Sequence, residues 1–121
     1  MGVTIELGID SRDPRALAPF WLAALGYERV EGDGNPSLTL VPPPGQPAVH
    51  LQRVPDAKRV KSRVRVELVV PDPEATARRL EGLGARRVGD LYTHADGSWD
   101  FQLMEDPEGN EFCLRAAAPG R

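Results

Sequence analysis

The side chains that could carry chemistry alternate with apolar residues in several short segments of this sequence. Arg65 alternates with Glu67 in a valine-rich segment, and His50 alternates with Gln52 in another. Side chains two apart on a strand point to the same face of a sheet, so each pair would share one face. An arginine on such a face would pair with a carboxylate or phosphate of a ligand. A glutamate there could move a proton as a base.

Each charged candidate also has a structural interpretation. Arg65 could form an internal ion pair with Glu6, and Glu6 could at the same time hold Arg65 in position for a ligand. Glu67 could be a second partner of Arg65, or it could be a base. We therefore predict Glu67 and Glu6 as catalytic candidates and Arg65 as a ligand-binding candidate, with the structural alternatives open.

Three other side chains complete the candidate list. Cys113 could be a nucleophile, but the sequence shows no nearby base, and a lone cysteine in a strand is usually a small core residue. His50 would either line a pocket or lie on the surface. Trp99 is an amphipathic ring at a predicted strand entrance and could contact a ligand. With Gln52 and Arg65, these three residues form the predicted ligand-binding set.

Composition limits the classes of function. The chain has 121 residues, of which 40% are hydrophobic, enough for one domain with a core. Fifteen basic residues against eighteen acidic ones give a net charge of −3, which argues against a nucleic-acid partner. No apolar run is long enough to span a membrane, and the N-terminus lacks the pattern of a signal peptide. One cysteine excludes an intramolecular disulfide, so we predict a cytoplasmic protein.

The elements that must position these residues form a repeat. In the first copy, Asp13 and Pro14 are typical of a helix start, and Gly26 marks the helix end. The second copy repeats the start with Asp72 and Pro73, and we predict its helix end at Gly84. Each helix follows a strand and precedes three short ones. The predicted strands are 3–9, 27–31, 37–41, 49–53, 64–70, 85–88, 101–105 and 111–115.

The chain is therefore predicted to be an α+β protein with two βαβββ modules. The first module covers about 1–54, a polar linker about 55–63, and the second module about 64–118, all within a single domain. A unit of this size cannot bury its sheet alone, so the two would have to pair.

A turn near the C-terminus carries the most specific motif. In Asp106-Pro107-Glu108-Gly109, proline presets φ for the second position and glycine relaxes the fourth. With this motif, the chain resembles the glyoxalase and bleomycin-resistance group of the vicinal-oxygen-chelate superfamily. The resemblance implies a curved mixed sheet around a central cavity for a small molecule, and a homodimer. The other residues that carry the resemblance are Asp13–Leu17, Phe20-Trp21, Leu25–Glu28, Leu51–Pro55, Lys61–Val64, Leu83–Ala85 and Asn110–Cys113.

In the metal-using members that the chain resembles, four inward residues hold a divalent cation. Carried over to this sequence, they correspond to Glu6, to Gln52 or His50, to Arg65 and to Cys113. Arginine cannot bind a cation because its guanidinium stays protonated and offers only donors. One cysteine with one glutamate matches neither zinc nor magnesium. We therefore predict no metal cofactor, and a divalent metal only if the chemistry of the resembled family is retained.

Three functions are compatible with the sequence. The leading one is binding of a small organic molecule in the cavity without a catalytic metal, for drug resistance or secondary metabolism. The second is a lyase or isomerase of the glyoxalase type that acts on a small oxygenated substrate. The third is a closed module that serves only in dimerisation.

Overall fold

The computed structural model describes residues 2, 4–55, 64–93 and 100–116. It contains two helices, α1 (Pro14–Leu25) and α2 (Pro73–Glu81). The strands are β1 (Leu7–Ser11), β2 (Arg29–Glu31), β3 (Ser37–Val41), β4 (Val49–Arg53), β5 (Val66–Val69), β6 (Arg86–Thr93), β7 (Asp100–Glu105) and β8 (Glu111–Arg115).

The strands form two four-stranded mixed sheets, with the orders β1-β4-β3-β2 and β5-β8-β7-β6. In each sheet the first and last strands of the repeat run parallel, and the other neighbours are antiparallel. Backbone contacts divide the chain into two compact units, Met1–Lys58 and Arg59–Arg121. The prediction of an α+β fold with two βαβββ modules is confirmed.

Both helices begin where the sequence predicts. The carboxylate of Asp13 accepts a hydrogen bond from the Ala16 amide at 3.3 Å, and that of Asp72 accepts one from the Ala75 amide at 3.1 Å. A proline follows each cap, where its missing N–H costs nothing. Helix α1 ends at Gly26, which has a φ of 74°, a conformation that glycine adopts without strain.

The second helix also ends with a glycine cap, at Gly84 as predicted. The regular turns of α2 stop at Glu81. The Gly84 amide then donates to the Glu81 carbonyl at 3.1 Å, and the Ala85 amide donates to the Leu80 carbonyl at 3.0 Å. With a φ of 105° at Gly84, these bonds satisfy the last carbonyls of the helix. A Cβ on Gly84 would also lie 3.2 Å from the ring of Pro107.

Five of the eight strands differ in their bounds from the prediction, most by one or two residues, and β1 and β6 differ most. Strand β1 begins at Leu7, not at residue 3. Strand β6 runs to Thr93 and not to Val88, because a bulge lets pairing with β7 resume beyond Gly89, whose φ is 74°. The buried Gln102 amide donates to the Gly89 carbonyl at 3.1 Å. This bond satisfies a carbonyl in the bulged segment.

The turn between β7 and β8 forms as predicted. The Asp106 amide donates to the Asn110 carbonyl at 2.8 Å, and the Gly109 amide donates to the Asp106 carbonyl at 2.9 Å. The Asp106 carboxylate is 1% exposed. It accepts hydrogen bonds from the amides of Glu108 (2.8 Å) and Asn110 (2.9 Å) and from the Asn110 side chain (3.0 Å).

The helix-facing side of each sheet holds the core of its unit. In the first unit, Leu38, Leu40, Val49 and Leu51 are at most 3% exposed and alternate with more exposed residues. Polar residues at the alternate positions therefore share the opposite face. In the described parts of the chain, neither helix is long and apolar enough to cross a membrane.

Candidate functional site

The first module carries a chain of hydrogen-bonded side chains on the sheet face that points away from α1. The hydroxyl of Thr39 lies 2.9 Å from His50 Nδ1, and His50 Nε2 lies 2.5 Å from Glu6 Oε1. The two strand residues are direct neighbours in the pairing of β3 with β4, whereas Glu6 immediately precedes β1. The side chains of His50 and Glu6 are 38% and 56% exposed, so a ligand could reach both.

The geometry assigns each polar atom a role. With a neutral imidazole, Nε2–H donates to the glutamate and Nδ1 accepts from the threonine hydroxyl. A carboxylate acceptor makes this a charge-assisted bond, stronger than a neutral one. The arrangement fixes the ring orientation and provides a path for a proton between a hydroxyl and a carboxylate.

The carried-over ligand positions need one correction. Gln52 was the preferred residue at the last strand of the first module, and His50 the less favoured one. The structure puts His50 against Glu6, whereas Gln52 is exposed and paired across the sheet with Asp10. In the parallel register, His50 pairs with Gly8, two residues after Glu6, so His50 reaches Glu6 along the diagonal.

The second module has different chemistry at the equivalent positions. Leu7 pairs with Val49 in the first module, and Val66 pairs with Phe112 in the second. By this register, Arg65 corresponds to Glu6, and Cys113 corresponds to His50. Leu103, opposite Cys113, corresponds to Thr39. The second module therefore has no equivalent of the threonine–histidine–glutamate chain.

Glu67 has a partner that sequence analysis missed. Its carboxylate accepts a hydrogen bond from Arg115 Nε at 2.9 Å, whereas Arg65 makes no ion pair with a described residue of its own module. Parallel pairing places Glu67 opposite Cys113, so Arg115 lies on the diagonal. The pair Arg65–Glu6, which would join the two modules, stays a prediction.

Cys113 is 4% exposed, and burial raises the pKa of its thiol, with a smaller increase from the nearby Glu67 carboxylate. Little thiolate therefore forms at neutral pH, and access is blocked. We expect iodoacetamide at pH 7.5 to alkylate Cys113 at least about 100-fold more slowly than free cysteine, measured by intact mass. Equal rates in the native and urea-unfolded protein would contradict this expectation and reopen a nucleophilic role.

The donor groups of the described residues do not fit a catalytic metal ion. No three His, Cys, Asp or Glu side chains of these residues come together. Glu6 and His50 form a two-ligand pair at most, since Thr39 offers only a neutral hydroxyl. A buried thiol with a raised pKa is a poor source of the thiolate that zinc needs.

The last candidate, Trp99, lies outside the described residues. Two other residues of the site were missed by sequence analysis. Thr39 was missed because its segment shows only alternation, and only the β3–β4 register brings its hydroxyl to His50. Arg115 was missed for the same kind of reason, since its contact with Glu67 follows from parallel pairing between strands at opposite ends of a module.

Comparison with known proteins agrees with this architecture. A sequence model described as a glyoxalase-like domain matches residues 6–115, which include nearly all the strands and both helices. No curated protein matches the sequence at a significant level.

Several solved structures share the fold. The fosfomycin resistance protein FosX from Listeria monocytogenes, in a complex with Mn(II), has a TM-score of 0.79 at 11% identity, covering 98% of this chain and 93% of its own. A glyoxalase/bleomycin resistance/dioxygenase family enzyme from Burkholderia phytofirmans has a TM-score of 0.71 at 17% identity, with 92% and 95% covered. The oxidase ChaP-H2 has a TM-score of 0.70 at 20% identity, with 99% and 98% covered. At these identities, the likeness concerns the fold alone.

Proposed function

Because this chain belongs to the glyoxalase-like domain family, we propose that it binds a small oxygenated organic molecule without a catalytic metal. The observation that carries the proposal is the Thr39–His50–Glu6 chain on the open face of the first sheet. An exposed ion pair adds little stability, so stability alone does not explain this ordered arrangement of polar groups.

The contacts of a bound molecule follow from the donors and acceptors on this face. Gln52 lies two residues from His50, and its exposed amide offers both a donor and an acceptor. Glu6 Oε2 makes no hydrogen bond with a described residue, so it could accept one from a ligand hydroxyl or ammonium group. Arg65 would add a partner for a ligand carboxylate or phosphonate.

A second candidate function rests on the same side chains. A hydroxyl, an imidazole and a carboxylate in series are able to move a proton, as a lyase or isomerase of the glyoxalase type requires. Here the Thr39 hydroxyl would take a proton from a carbon acid while it passes its own proton to His50 Nδ1, and Glu6 would stabilise the imidazolium that forms. In this alternative, Glu67 has no assigned role because Arg115 holds its carboxylate.

The assembly and setting of the protein are also part of the proposal. We propose a homodimer in the bacterial cytoplasm, with a role in drug resistance or secondary metabolism. The fosfomycin resistance and bleomycin resistance names among the structural neighbours support this choice of ligand classes. A purely dimerising module remains the alternative if no ligand binds.

Thermal melts test both parts of the proposal. We expect purified, unchelated protein to hold less than about 0.1 equivalent of metal, with no rise in Tm when Mn(II), Zn(II) or Mg(II) is added. One of fosfomycin, bleomycin, lactate or hydroxyacetone should raise the Tm in the presence of EDTA. The His50→Asn variant should lose the rise, and Arg29→Gln, a change in the exposed Arg29–Glu31 pair, should keep it.

Two results would contradict the proposal. About one equivalent of bound metal with a higher Tm would favour the metal chemistry of the wider superfamily, with Glu6 and His50 as ligands. An equal ligand-induced rise in wild type and His50→Asn would place the binding site elsewhere.

A further inference from the structure

The first module also has a pocket on the opposite face of its sheet, beneath α1. Its volume is about 420 Å³, within the range of small-molecule sites. Apolar residues form its floor and charged residues its rim. The lining consists of Arg15, Ala18, Pro19, Leu22, Val30, Gly32, Asp33 and Leu38.

The pocket forms where α1 leaves the sheet edge uncovered. Val30 pairs with Leu40 and so points to the helix side, yet it remains 39% exposed. One of the helix residues that line the pocket is the small Ala18, which is buried. A larger side chain would have filled the gap, so the small residue leaves apolar surface open to a ligand.

The loop after β2 closes one end of the pocket. Gly32 and Gly34 have φ values of 93° and 87°. A Cβ on Gly34 would lie 2.9 Å from Arg15 Cγ, and a Cβ on Gly32 would lie 3.1 Å from the Ser37 carbonyl oxygen. The loop thus packs directly on the aliphatic part of Arg15 and holds its charged end at the rim.

The rim carries one basic side chain, Arg15, and one acidic side chain, Asp33. Arg15 stands in the first turn of α1, whose N-terminus is already capped by the Asp13 carboxylate. Its guanidinium forms no ion pair with the described residues. Pro19 adds a polar group, because it has no N–H to donate to the Arg15 carbonyl.

We propose that this pocket binds a small molecule with an apolar body and a carboxylate, which pairs with Arg15. A carboxylate there would form a charge-assisted pair with the arginine. The apolar body would cover Val30, Leu22 and Leu38. Asp33 disfavours a second negative charge and favours a hydrogen-bond donor on the ligand. The proposal is independent of the site on the other face of the sheet.

The probe is 3-phenylpropionate, and its uncharged analogue is 3-phenylpropionamide. Binding of each is measured by NMR titration from the chemical shifts of the protein's backbone amides. We expect saturable shifts at Ala18, Leu22 and Gly34. The uncharged analogue should bind about fivefold more weakly, because it lacks the one partly exposed ion pair. Arg15→Gln should bind the acid no better than the amide. The matched charge control, Arg29→Gln, should keep the difference.

A second variant pair tests the volume of the pocket. Val30→Trp should block the acid by filling the pocket, whereas Glu31→Trp puts the same ring on the opposite face and should not. An acid that binds with equal affinity to wild type and Arg15→Gln would overturn the proposal. Shifts centred on His50 and Gln52 would overturn it as well, because the probe would then occupy the other face.

Discussion

Asp106→Ala should destabilise the protein by about 3 kcal/mol, the typical result when several buried hydrogen bonds to one charged group are lost. The carboxylate is 1% exposed and accepts two backbone amides and one side-chain amide within five residues. Alanine would leave the amides of Glu108 and Asn110 without this acceptor. For a chain of this length, the corresponding fall in Tm is on the order of 10 °C, measured by circular dichroism.

Asp106→Asn is the matched control because it keeps the shape and one acceptor oxygen. Its loss should be less than half that of Asp106→Ala, and Asn110→Ala, which removes only the side-chain donor, should cost less still. A fall of under about 2 °C for Asp106→Ala would mean that Pro107 and Gly109 alone hold the turn.

The predictable features of this fold are those set by neighbouring residues. Asp13 and Asp72 cap their helices because a cap needs only its own side chain and the amide three residues later. The Asp106 turn has the same local character. Gly26 and Gly84 also end their helices through hydrogen bonds within the last turn. The extent of β6 was not predictable, because it depends on how pairing with β7 resumes after the bulge.

The candidate site was predictable only in part, for a related reason. Alternation placed His50 and Gln52 on one face, but it could not say which of them meets Glu6. That choice depends on the parallel register of β1 and β4. A shift of the register by one residue would bring a different side chain to Glu6.

The register also shows that the two modules have diverged at equivalent positions. One has Glu6, His50 and Thr39, and the other has Arg65, Cys113 and Leu103. The first set is polar and hydrogen-bonded, whereas Cys113 is buried. We infer that recognition of polar ligand groups belongs to the first module.

His50→Asn should lower the affinity for the ligand that gives the largest Tm rise by about tenfold, or about 1.4 kcal/mol. Asparagine retains a donor and an acceptor but cannot span the 2.9 Å and 2.5 Å contacts to Thr39 and Glu6 at once. Isothermal titration calorimetry measures the loss. Thr39→Val should cost only about two- to threefold, because it removes one neutral hydrogen bond at a partly exposed position.

The same three side chains distinguish binding from proton transfer. With hydroxyacetone in D₂O, NMR follows the exchange of the carbon-bound protons next to the carbonyl. If the protein only binds, the exchange rate equals that in buffer, and Glu6→Gln changes affinity alone. If His50 acts as a base, wild type accelerates the exchange, and His50→Asn lowers the rate by about 100-fold. Thr39→Val then tests the relay: a slower exchange with unchanged affinity would assign the hydroxyl to proton movement, whereas a parallel loss of both would make it a contact that positions His50.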